Sequence, residues 1–122
     1  MNNYKELKVW QKAVDLTVSI YEVTKMFPSE EIYGIVNQMR RAAVSISSNL
    51  AEGAGRGSSK DFCHFLGISL GSAFELETQL IISEKIGFLS NDQLIPQIIQ
   101  INEIEKMIRG LQKSLKNYFT NN

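Results

Sequence analysis

The chain has 122 residues, 43% of them hydrophobic, and its 13 basic and 13 acidic side chains cancel. That length suits one domain, and the ordinary apolar fraction excludes disorder along the whole chain. Zero net charge excludes a bulk polycation that coats nucleic acid, and a single cysteine excludes a disulfide framework or a multi-thiolate metal site.

The first predicted element is a helix over 5–27. Val9, Ala13, Leu16, Ile20, Val23 and Phe27 recur at spacings of four and three, which is one face of an α-helix. Leu7, Trp10, Val14 and Tyr21 form a second apolar stripe beside it, more than a bundle core needs. Pro28 then interrupts, and Ser29-Glu30-Glu31 suits the start of a second helix over 29–53. Its stripe is Ile32, Val36, Met39, Ala43, Ile46 and Leu50.

The glycine-rich segment Gly53-Ala54-Gly55-Arg56-Gly57 ends that helix, because each glycine costs about 1 kcal/mol in a helix interior. Ser58 offers an N-cap for a third helix over 59–86, carrying Phe62, Leu66, Ala73, Leu76 and Leu80. Gly87 reads as a left-handed C′ residue, with Phe88 folding back. Ser90-Asn91-Asp92-Gln93 is a capping box for a fourth helix over 91–119. Its stripe is Leu94, Ile98, Ile101, Ile104, Ile108, Leu111, Leu115 and Tyr118, and Pro96 predicts a distorted first turn. No period-two alternation is sustained. Four long helices with short connections predict an all-α, antiparallel up-down-up-down four-helix bundle, one domain over 1–122.

The polar signatures are more distinctive than the stripes. They are Leu7-Lys8-Val9-Trp10, then Phe27-Pro28-Ser29-Glu30-Glu31-Ile32-Tyr33-Gly34, then the block from Arg40 to Gly53, RRAAVSISSNLAEG. Arg56-Gly57-Ser58, Asp61-Phe62, Gly71-Ser72-Ala73-Phe74-Glu75-Leu76 and Ile86-Gly87-Phe88-Leu89 follow. In this order the chain resembles the four-helix-bundle family encoded in intervening sequences of bacterial large-subunit (23S) ribosomal RNA genes. That family is similar to the accessory variability determinant of diversity-generating retroelements. The resemblance implies a ring-like homopentamer. The retroelement relatives are basic adaptors that hold a reverse transcriptase and nucleic acid. Asp61 stands where the family commonly has glutamate, and the neutral charge departs from the basic relatives.

Arg41, Ser45, Ser48 and Glu52 line one polar stripe on the second helix, with Asn49 beside it, and Ser72, Glu75 and Gln79 do the same on the third. An antiparallel hairpin brings Arg41 toward Ser72 and Glu75, so an Arg41–Glu75 ion pair is expected, fixing helix register or a subunit interface. No cofactor or metal is expected. A di-iron bundle needs two Glu-x-x-His motifs, whereas the lone His64 follows Asp61. Cys63 and His64 are adjacent, hence about 100° apart on a helix, and make no thiol–imidazole pair. Arg56 and His64 lie further apart than the pattern of helical toxin-type endoribonucleases, so an endoribonuclease is only a remote alternative to a non-enzyme.

Up-down topology collects Lys5, Lys8, Lys12, Arg56, Lys60, Arg109, Lys113 and Lys116 at one end, against Glu6, Glu52 and Asp61. The opposite end is acidic, with Glu22, Glu30, Glu31, Glu77, Glu84 and Asp92 against Lys25 and Lys85. The basic end is the predicted contact for RNA or DNA; the alternative is an assembly module that binds only protein. No run of about 18 apolar residues predicts a membrane span. The polar N-terminus MNNYKELKVW suits neither signal nor transit peptide, so a cytoplasmic homo-oligomer is expected.

Overall fold

The computed structural model describes residues 3–121, with side chains placed through Asn117, so the expected place of Tyr118 on the fourth stripe lies outside the described residues. Four α-helices follow in order: α1 (Lys8–Thr24), α2 (Ile35–Ala54), α3 (Ser59–Lys85) and α4 (Asn91–Asn121). Each packs against its neighbours in sequence, and α1 also packs against α4, closing a four-sided antiparallel bundle. No strand occurs among the described residues.

The predicted ridges form the core. Ala13, Leu16 and Ile20 of α1 meet Met39, Ala43, Ile46 and Leu50 of α2, Leu66, Ala73, Leu76 and Leu80 of α3, and Ile101, Ile104 and Ile108 of α4. All are sealed from solvent.

The helix ends show which local signals decide. At α4, the Ser90 N–H donates to Gln93 Oε1 at 2.8 Å and the Gln93 N–H returns to Ser90 Oγ at 3.2 Å, a complete capping box. At the end of α3, Gly87 adopts φ +91° and the Phe88 N–H donates to the Ser83 carbonyl at 2.9 Å, the six-to-one closure of a Schellman turn. Phe88 then packs on Phe27, with ring centroids 5.6 Å apart. The helix α4 runs through Pro96 without a break.

Two predicted helices are shorter than expected. Tyr4–Glu6 is a separate 3-10 turn, set off by the extended backbone of Leu7, so α1 starts at Lys8 and ends at Thr24. Ser29–Glu31 is a second 3-10 turn. Gly34, at φ −109° and ψ −120°, leaves the helical well and restarts the ladder, so α2 begins at Ile35. Ile32 therefore falls off the core stripe and is 48% exposed, beside Tyr33 at 94%.

By length and composition alone α3 is apolar enough to cross a membrane, although it has no unbroken apolar run. In the bundle it is the shared wall. Its inner stripe fills the core, and its outward stripe leaves Ile68, Phe74, Ile81 and Ile82 partly exposed. At the α2–α3 turn, a Cβ on Gly53 would stand 2.8 Å from the Phe65 Cβ and 3.0 Å from the Phe62 ring. Only glycine lets the two helices close there.

Candidate nucleic-acid interface

The antiparallel order gathers the eight predicted cations at one end of the bundle, but not as eight free charges. Lys12 Nζ lies 3.1 Å from Glu103, and the Arg56 guanidinium 2.9 Å from Glu52. Arg56 also lies over the Phe65 ring at 4.9 Å, which fixes it against α3. Lys5 is exposed in the first 3-10 turn, Lys8 on the first turn of α1 and Lys60 on the first turn of α3.

The remaining three form the best-defined site. Arg109, Lys113 and Lys116 recur at four and three on α4, so they share one face. With Gln112 and Asn117 they line an open groove of about 370 Å³. No carboxylate lines it, and Arg109 is steadied over the Phe74 ring at 5.4 Å. The groove lies near the C-terminal end of α4, where the helix dipole favours cations. Such a groove offers charge-assisted donors to anionic oxygens and nothing that repels them.

The polar stripe on α2 behaves differently. Ser45 Oγ and Ser72 Oγ are 2.8 Å apart, and Asn49 Nδ2 donates to the Ser45 carbonyl at 2.8 Å and to its hydroxyl at 3.0 Å. These groups satisfy one another across the α2–α3 seam. The expected Arg41–Glu75 ion pair is absent. Both side chains line one groove of about 320 Å³ with Gln38, Ala42, Ser45 and Ser72, but no bridge within 4 Å joins them. Glu75 instead accepts from Gln79 Nε2 at 3.2 Å, an i,i+4 contact on its own helix. The helix register is right, since both side chains reach one groove, but they do not bridge it.

Three features escape sequence reasoning. Arg40 locks α2 to α1: its Nε donates to Thr24 Oγ1 at 3.0 Å, its Nη2 to the Tyr21 carbonyl at 3.4 Å, and its guanidinium covers the Tyr21 ring at 4.5 Å. His64 meets the edge of the Phe65 ring at 5.2 Å, so His64 and Arg56 gather on one aromatic despite their separation in sequence. Glu77 of α3 faces Glu105 of α4, and burial, the Glu77 hydrogen bond and the Glu77 charge together push Glu105 up to about 7, against the opposing pull of Arg109. A signal for the last existed: Glu105 lies four residues after Ile101 and three before Ile108, on the inward half of α4. Trp10, on the second apolar stripe of α1, is half-buried and packs edge-on to Tyr4 within the chain, with ring centroids 5.2 Å apart.

Together these features define an antiparallel four-helix bundle with a neutral sum and a polarised distribution, in which Arg109, Lys113 and Lys116 share an acid-free groove near one end. A family model described as 23S rRNA-intervening sequence protein matches residues 5–110, and the chain belongs to that family. It is also similar to a protein of unknown function from the S23 ribosomal protein family of Bacteroides thetaiotaomicron, solved at 1.70 Å resolution. That likeness has a TM-score of 0.80 and 25% identity, over 86% of this chain and 98% of the other. No functionally curated protein matches the chain.

Proposed function

We propose that the protein is a non-enzymatic, cytoplasmic homo-oligomeric adaptor that holds RNA or DNA at its basic end. The observation that carries this reading is the acid-free groove of Arg109, Lys113 and Lys116. One neutral subunit gives a weak field, but symmetry multiplies one end. In a ring such as the homopentamer that the family resemblance implies, five grooves share a rim and their potentials add. Assembly is supported by apolar side chains that the bundle leaves outside, among them Val18, Tyr21 and Val44 on one side and Ile68, Ile81 and Ile82 on another.

The test is direct. Purified protein is expected to carry nucleic acid, seen as excess absorbance at 260 nm, that high salt strips off. Charge reversal with K113E and K116E weakens retention and flattens its salt dependence. Retention that ignores salt, or none at low salt, rejects the reading.

A second reading, a module that assembles only with protein, such as a reverse transcriptase, has its own observation. Lys12 and Arg56 are already paired with Glu103 and Glu52, which leaves the basic end less charge than its sequence suggests.

A further inference from the structure

We propose that neighbouring copies of this chain join through two unlike faces, with Glu75 of one copy entering the Arg41 groove of the next. The inference rests on the homo-oligomeric reading above and adds which surfaces meet.

The receiving face is an open groove of about 470 Å³ between α1 and α2, lined by Tyr21, Asn37, Arg40, Arg41, Val44 and Ser45. It contains two guanidiniums and no carboxylate. Arg40 is immobilised by Thr24, the Tyr21 carbonyl and the Tyr21 ring, so it forms a fixed positive wall. Arg41 is exposed, with neither a hydrogen bond nor an ion pair to any described side chain. Tyr21 and Val44 stand partly exposed beside it. The groove therefore presents a cation framed by apolar surface. A polyphosphate chain suits it poorly, because Glu22, Glu30 and Glu31 crowd the same end of the bundle and repel an extended polyanion. A single carboxylate set among apolar side chains meets no such penalty.

The entering face is the outward stripe of α3. Ile68, Glu75 and Ile82 recur every seventh residue, so they stand in one row along the helix with only a small angular drift. All three are exposed, and Gly71 and Thr78 between them leave the row in relief. Glu75 is steadied by the Gln79 amide, and one carboxylate oxygen stays uncommitted. An acid between two isoleucines complements a base between Tyr21 and Val44 in both charge and polarity. Made one way round, this contact repeats to close a ring or extend a filament; made both ways at once, it would pair two copies about a two-fold axis, and the mass of the native assembly distinguishes the two.

Light scattering on R41E, E75R and their mixture tests this. Neither residue is bridged within the chain, so each variant is expected to keep its helical circular dichroism. Each alone assembles at least about tenfold more weakly than the native chain. An equimolar mixture recovers association over either variant alone, because the groove of the R41E chain accepts the ridge of the E75R chain and the remaining native groove and ridge still match. Alternation closes only an even-numbered ring, so the mixed assembly is even-numbered or open, whereas the family resemblance implies five members for the native one. A role within one chain produces no such rescue. R41Q and E75Q keep size without charge and weaken assembly individually; mixing them restores only the one native groove-to-ridge contact, so it pairs chains without rebuilding the full assembly. Full assembly by R41E, or a mixture that stays dissociated, overturns the proposed contact while leaving homo-oligomerisation standing. A native chain that is monomeric at micromolar concentration overturns both.

Discussion

Helix α3 packs against α2 through hydroxyls and a glycine, and against α4 through carboxyls and a guanidinium. On the α2 side, Ser69 donates to the Ile46 carbonyl at 2.7 Å, Ser45 and Ser72 share a bond, and Gly53 admits Phe62 and Phe65. These groups are small, uncharged and mutually satisfied, so the seam is close and indifferent to pH. On the α4 side, Glu77 faces Glu105, Arg109 leans on Phe74, and Glu105 Oε2 is buried without a donor. One helix thus combines a rigid seam with a titratable one. Low-dielectric packing rewards local satisfaction and penalises like charges brought together.

The largest way to break the comparison is to strike both seams at once. Leu66 is fully buried in the core that α3 shares with its neighbours, and L66A is expected to cost about 2–5 kcal/mol in chemical denaturation. A loss well under 1 kcal/mol shows that the core collapses onto the gap. G53A acts on the α2 seam alone. Its new methyl meets the Phe65 Cβ, which belongs to the root of a side chain and moves only with its helix. The expected cost is about 1–3 kcal/mol, with no change in its pH dependence. A stabilised G53A shows instead that the hairpin spreads freely and that the close approach is incidental.

What the sequence made legible follows from range. Ridges such as Val36, Met39, Ala43, Ile46 and Leu50 announce a buried face because periodicity is local to one helix. The Ser90–Gln93 box and Gly87 are equally local, and both behave as their residue types dictate. The basic end was readable because helix order alone decides which termini share a pole. The shortened α2 was not, because Ile32 keeps the period while Gly34 breaks the backbone beneath it. Pairings across seams were least legible. Arg41 and Glu75 share a groove without touching, whereas Glu77 and Glu105 touch without having been foreseen. Both outcomes depend on the rotation of each helix about its own axis by a few tens of degrees, and a single helix's pattern does not encode its phase relative to a neighbour.

The carboxyl pair supplies the smallest effect and the sharpest contrast between the seams. Glu105 is raised from 4.5 to about 7, first by burial, then by the hydrogen bond and charge of Glu77, while Arg109 opposes the shift. Between pH 4.5 and about 7 the folded chain therefore binds more protons at this site than the unfolded chain. Stability falls as pH rises through that window and levels off above it. The glutamate is partly open to solvent, so screening reduces the loss to about 1 kcal/mol. In E105Q the amide donates to Glu77 at every pH, and this part of the decline vanishes. At pH 8 the variant is expected to melt a few degrees above the native chain, about 4 °C for each kcal/mol in a domain of this size. At pH 4 the two melt together. An E105Q profile parallel to the native one across the window shows that the carboxyls separate in solution, and the α4 seam is then as neutral in practice as the α2 seam.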